Sequence, residues 1–421
     1  MDRKKKKANA ASAAVNAKQQ QINLFNRFAD RIRQIIDLFA NKALAHKVPP
    51  IFIQKLFEVR YPVLKAKSGG DIPKSRIIQF NKLMNQMIAD NEITLLNGNV
   101  IPLSWYLSEA LVLITAVSAS EPDSPLGYEL TEVFSPYFPD TPLHEEIKEM
   151  VHELSSQTCI SLSDFNQSIL QADYSNTPAF SPYETTNDII VYSFKPVKED
   201  INIEGQRRTA IRLGWVDIQR NWVFSKVKPS LLGFKVGSLD IPLPVYFQDH
   251  LLESLQKRID ITPGMMHIIM YLIFNDPKIP HHFKGNETLV SFPLADEKVG
   301  YLVVRLHQDK LFIHTFLFLT NDGTPEGDKL NKLLEIKLDK NDKSHLQIDT
   351  LPAFNAYAFE QNEQLFNLFK DAGCASLFKL SNIQEFTLNH IKEKDPESIL
   401  QYLADTAYFR NSIKGDQEEP S

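Results

Sequence analysis

Between Val245 and Thr320 the chain gathers side chains that move protons or hold anions at neutral pH. His250, His267, His281, His282, His307 and His314 are six of its eleven histidines, and Arg258 and Arg305 lie among them. An imidazole titrates near physiological pH and so can take or give a proton, while a guanidinium keeps its charge and can hold a phosphate or a developing oxyanion. Metal-independent cleavage of RNA needs those parts: a base for the 2′-hydroxyl, an acid for the leaving oxygen and a cation beside the phosphate. On residue type, His250, His307 and His314 are the candidates for proton transfer, and Arg258 and Arg305 for the phosphate.

The element that must position most of them reads as a hairpin, YLVVRLHQDKLFIHTFLFLT, at residues 301–320. Side chains alternate faces along a strand, and cross-strand neighbours touch. With Asp309-Lys310 as a two-residue turn, Arg305 faces His314, His307 faces Phe312 and Val303 faces Phe316. One face then carries Tyr301, Arg305, His307 and His314. The other carries Leu302, Val304, Leu306, Ile313, Thr315 and Leu317, apolar enough for a core. Asp-Lys is not a favoured central pair for a tight hairpin turn, and a three-residue loop would separate Arg305 from His314. The plainer reading makes these residues solvated strand positions beside a core edge.

Upstream, FQDHLLESLQKRID reads as a polar helix with His250, Ser254 and Arg258 along one face. The run HLLESLQKR resembles the helix of small toxin-like ribonucleases of the RelE and BrnT type, in which a His-Ala-x-x-Arg-x-x-x-Arg pattern precedes an antiparallel sheet. His250 and Arg258 keep that pattern, Leu251 stands where Ala is usual, and Ser254 replaces the middle Arg. The resemblance covers residues 245–320. It implies an α+β ribonuclease domain acting on RNA.

A second group lies on strands. From Arg207 to Lys228 the bases Arg207, Arg208, Arg212, Arg220, Lys226 and Lys228 stand against one acid, Asp217, with Trp215 and Trp222 interleaved. Basic strands with aromatics suit phosphate tracking and base stacking. Trp215 shares parity with Thr209, Ile211 and Leu213, which points it to a core, whereas the Arg208/Arg212 parity is the exposed one. A solvated basic face is the plainer reading. Metal binding by His281-His282 ranks last, because adjacent histidines without a carboxylate cluster are a poor ligand set. No cofactor signature is present.

The chain has 421 residues, 43% hydrophobic and 23% charged, with a net charge of −6. That is ordinary for a globular protein, and it excludes a surface that is basic throughout. Two cysteines far apart, Cys159 and Cys374, suit a reducing, cytoplasmic compartment, and no apolar run is long enough to span a membrane.

The expected fold class is α+β: a helical N-terminal domain, then a mixed domain with an antiparallel sheet and C-terminal helices. Residues 1–17 read as a disordered basic tail. Residues 18–155 read as a helical domain with a small hairpin at Asn97-Gly98, residues 156–187 as a linker, 188–413 as the α+β domain and 414–421 as an acidic tail. Helices followed by a hairpin are similar to a winged-helix arrangement, yet Lys74, Arg76 and Lys82 are too few bases for a DNA-reading helix. The leading expectation is a bacterial-type, toxin-like ribonuclease acting on RNA. The alternatives are a non-enzymatic RNA- or DNA-binding or regulatory protein, or a structural or interaction protein.

Overall fold

Ile32, Ile35, Ile36 and Phe39 recur at helical spacing, and all four are buried. They belong to α1, Asp2–Ala40. The computed structural model describes residues 2–177, 186–203, 205–235, 240–357, 359, 362–380, 394 and 396–410. The chain is α+β, and it divides into two units, Met1–Cys159 with Leu170–Ser193, and Ile160–Ile169 with Phe194–Ser421. Among the described residues no helix is long and apolar enough to cross a membrane.

The first unit is mainly helical. Its start departs from expectation, since residues read as a disordered tail are helical from Asp2 onward. Six alanines between Ala8 and Ala17 explain this: Ala is the strongest helix former and Lys is close behind, and growth from an already packed helix avoids the nucleation cost. Then come α2 (Pro50–Glu58), β1 (Lys65–Ser68) and α3 (Lys74–Ala89). The hairpin expected at Asn97-Gly98 is present as β2 (Glu92–Thr94) paired with β3 (Val100–Pro102), with Gly98 at φ 85°, where L side chains are strained. A π-helical turn, Tyr106–Ala110, leads into α4 (Leu111–Ser118).

The polar stretch after it is not irregular throughout. It carries α5 (Pro125–Phe134), whose first turn is capped by Ser124 Oγ accepting from Gly127 N at 3.2 Å. The segment 156–187 is likewise not a plain linker. It contains the end of α6 (Pro142–Leu162), then β4 (Ile169–Thr177) and the start of β5 (Thr186–Phe194), in a three-stranded sheet of order β1-β5-β4. Leu170 and Tyr174, on one parity of β4, are buried, a signal diluted in the sequence by the polar residues between them. Residues 178–185 of this segment and the acidic tail 414–421 lie outside the described residues.

In the second unit β6 (Lys198–Ile203) and β7 (Gln206–Arg212) form a hairpin, and β8 (Gly214–Val216) pairs with β9 (Trp222–Phe224). After β10 (Lys226–Val227) and β11 (Leu243–Phe247) come α7 (Asp249–Ile259) and α8 (Pro263–Asn275). The strands β12 (His281–Lys284), β13 (Glu287–Leu294), β14 (Glu297–His307) and β15 (Lys310–Phe318) follow as consecutive hairpins, and then α9 (Pro325–Leu334) and α10 (Glu363–Ala372). The large sheet runs β12-β13-β14-β15-β11-β7-β6, with β10 also paired to β11. Its pairs are antiparallel except β11 with β15, which is parallel.

One face of this sheet is core. Ile211, Val245, Phe247, Val304, Leu311 and Ile313 pack with Leu255 of α7 and Met266 of α8 in one buried cluster, each such side chain contributing roughly 1.5–3 kcal/mol. The other face holds a smaller apolar cluster, Ile201, Ala210, Tyr246 and Phe312. The polar candidates lie around it.

Candidate active site

The β14–β15 turn is Gln308-Asp309, not Asp309-Lys310. His307 pairs with Lys310, Arg305 with Phe312 and Val304 with Ile313, and Gln308 takes the left-handed φ of 55°. Lys310 joins the strand, with its Nζ 5.9 Å from the Tyr246 ring centroid. The ladder then shifts. Val303 pairs with Thr315, so His314 is the extra residue of a β-bulge. Arg305 therefore does not face His314 across the strands. The bulge also resets the alternation: Phe316 and Phe318 are buried in the core, and Thr315 and Leu317 are only partly buried.

Arg305, His307 and His314 nevertheless reach one cleft of about 420 Å³, shared with Lys284, Glu287 and Phe312. Arg305 Nε donates to Glu287 Oε2 at 3.1 Å. Lys284 Nζ donates to Gly323 O at 3.2 Å and lies 3.4 Å from Asp328 Oδ2. His307 Nε2 is 2.6 Å from Asn202 O. A carbonyl can only accept, so Nε2 carries hydrogen there, and the neutral ring keeps its lone pair on Nδ1.

His250 joins this group through the backbone. The parallel register Phe247↔Ile313 places the residues after Phe247 beside those after Ile313 within β15. There β11 turns into α7 while β15 bulges, and His250 Nε2 lies 2.9 Å from His314 O with the two rings 6.3 Å apart.

Arg258 does not converge with them. Eight residues along α7 amount to about 12 Å of rise, and its guanidinium is held in an ion pair with the Asp349 carboxylate, both side chains nearly buried at 11% and 10% exposure. It also donates to Asp349 O at 2.6 Å. His267 is a core residue, stacked on Phe165 with centroids 3.2 Å apart, its Nε2 bonded to Gly214 O. Burial drives its pKa well below the usual imidazole value. His281 and His282 are exposed on β12, and among the described residues no group of three or more His, Cys, Asp or Glu is arranged to hold a metal ion.

The basic strands are less open than their alternation implied. Arg207 pairs with Asp200 at 2.7 Å, Arg208 donates to Gln206 Oε1 at 2.8 Å, and the Arg212 guanidinium sits 4.2 Å from the Phe224 ring. Arg208 and Arg212 are half-buried beside fully buried Ala210, because their parity looks onto the small apolar cluster rather than straight into solvent. Arg220 occupies the β8–β9 turn at φ 68°. Nearby, Tyr246 OH donates to Glu199 Oε1 at 2.8 Å, and burial together with this acid pushes the phenol up to about 12.

No family model, curated protein or solved structure matches the chain. What the site can do therefore follows from its own residues. Two of them, Lys284 and Glu287, were missed in the sequence although a signal was present. Gly285-Asn286 between them is a favoured hairpin pair, Gly285 sits at φ 67°, and Lys284 pairs with Glu287 across it.

Proposed function

We propose that the cleft bounded by Lys284, Glu287, Arg305, His307 and His314 binds a phosphodiester and cleaves RNA without a metal. One observation carries this reading: two histidines and two cations line the same cleft on a single sheet face. In this scheme one imidazole takes the 2′-hydroxyl proton and the 2′-oxygen attacks phosphorus. The bond to the 5′-oxygen breaks, and the second imidazole, as imidazolium, protonates that leaving oxygen. Arg305 and Lys284 hold the phosphate oxygens. Arg258 drops out of the scheme, since Asp349 already occupies its guanidinium. His250 acts on the bulge rather than on the substrate. Cys159 and Cys374 are buried thiols, which fits a reducing compartment such as the cytoplasm.

The deciding measurement is incubation of the purified chain with total RNA in excess chelator, beside His307→Ala and His314→Ala. Cleavage by the native chain, lost in both variants with the unfolding midpoint retained, supports the reading. Intact RNA at high protein concentration overturns it. Salt-sensitive RNA binding without cleavage would instead favour a non-enzymatic nucleic-acid-binding role.

A further inference from the structure

We propose that the helical unit binds an amphipathic monoanion, an acyl or aryl chain ending in a carboxylate, in a pocket separate from the histidine cleft. The pocket, about 500 Å³, is formed by α1, α2, α3, the residues after α2 and the π-helical turn. That volume is in the range of small-molecule sites, roughly 300–1,000 Å³. Phe28, Leu64, Ile88 and Leu107 give it an apolar interior. Leu107, Ser108 and Glu109 come from the π-turn, a helix irregularity that recurs at functional sites.

The charges are arranged unevenly. Three arginines and one glutamate line the pocket. Glu109, 6% exposed, accepts from Arg31 Nη1 at 3.0 Å and from Ser108 Oγ, so its charge is met inside the protein. Arg31 also lies 5.4 Å from the Trp105 ring, which fixes its direction. Two cations remain. Arg60 stacks 3.8 Å from the Phe57 ring and donates to Phe57 O, a contact that leaves its charge uncompensated by any carboxylate among the described residues. Arg27 makes no hydrogen bond or ion pair among the described residues.

The ligand class follows from these two halves. A small inorganic anion would lose hydration against the apolar walls without filling them. A neutral apolar molecule would fill the interior and leave Arg27 and Arg60 unmatched. A carboxylate on an apolar chain satisfies both, with the chain inside and the head between the two guanidiniums.

Titration calorimetry of the full chain with decanoate and with decan-1-ol tests this. Decanoate is expected to saturate one site, with decan-1-ol about tenfold weaker, the worth of one charge-assisted hydrogen bond. Arg27→Ala, at an exposed position, should reduce decanoate to the affinity of the alcohol. Ser104→Trp, exposed on the pocket wall, should abolish binding of both with the unfolding midpoint unchanged. If that variant unfolds, Leu24→Trp, at an exposed lining position on α1, takes its place. Failure of decanoate to saturate, equal affinity for acid and alcohol, or native-like binding by a folded wall variant would each overturn the proposal.

Discussion

His250 Nε2 donates to the main-chain oxygen of His314 at 2.9 Å, tying the first turn of α7 to the bulge of β15. The register of β15 shifts at His314, and this contact restrains the direction of its side chain. His250→Ala should cost about 0.5–1.5 kcal/mol of stability, read from urea midpoints. Under the proposed mechanism it should also slow RNA cleavage several-fold through kcat while KM changes little. His250→Gln keeps a donor of similar reach and should recover part of the rate. Native-like kcat in the alanine variant would show that the bond does not position His314.

The helical stripes and the hairpin at Asn97-Gly98 were legible because periodicity and turn chemistry are local. The β14–β15 register was not. Gln308, Asp309 and Lys310 include no Gly or Asn to mark the left-handed position, which Gln308 takes. A bulge leaves no trace in an alternating pattern except a change of parity, visible afterwards in buried Phe316 and Phe318. The fate of Arg258 depended on Asp349, distant in sequence. Local reading could place it on a helix face but could not see the acid waiting there.

Arg258 and Asp349 form an ion pair almost out of water, so removing one partner strands the other. Arg258→Ala should destabilise the fold by about 3–5 kcal/mol, and Arg258→Met with Asp349→Leu should recover most of that loss. Equilibrium unfolding in urea gives both numbers. A single variant as stable as the native chain would mean that the pair is solvated in solution and that Arg258 is available for other work.

His267 makes stability depend on pH in a defined direction. Burial lowers its pKa well below the free value, opposed by the bond to Gly214 O, so the ring stays neutral in the fold while the unfolded chain takes a proton near pH ~6.5. Above that pH neither state binds the proton, and the stability is fully present. Below it the unfolded chain holds the extra proton, and stability falls by about 1.4 kcal/mol per pH unit until the folded pKa is reached. His267→Phe keeps a ring against Phe165 and should flatten the decline between about pH 6.5 and about pH 5. Urea midpoints across that window, native against variant, read the difference, and parallel curves would rule out His267 as its source.

Glu287 sets how much of the charge of Arg305 reaches a ligand. The two side chains lie 3.1 Å apart and are 30% and 43% exposed, and a pair this open adds only ~0–1 kcal/mol to stability. Its main effect is electrostatic: the carboxylate occupies the guanidinium that the proposed mechanism needs for phosphate, and it repels a second anion entering the cleft. Glu287→Gln removes that charge and keeps a hydrogen-bond acceptor for Arg305 Nε. The variant should unfold at nearly the native midpoint and bind a non-cleavable deoxyribo-oligonucleotide several-fold more tightly at low salt. The slope of log affinity against log salt should steepen by up to about one unit, as one further phosphate is neutralised. Arg305→Gln should weaken binding and flatten that slope. Unchanged affinity and slope in both variants would remove Arg305 from the phosphate site and leave Lys284 as its only cation among the described lining residues.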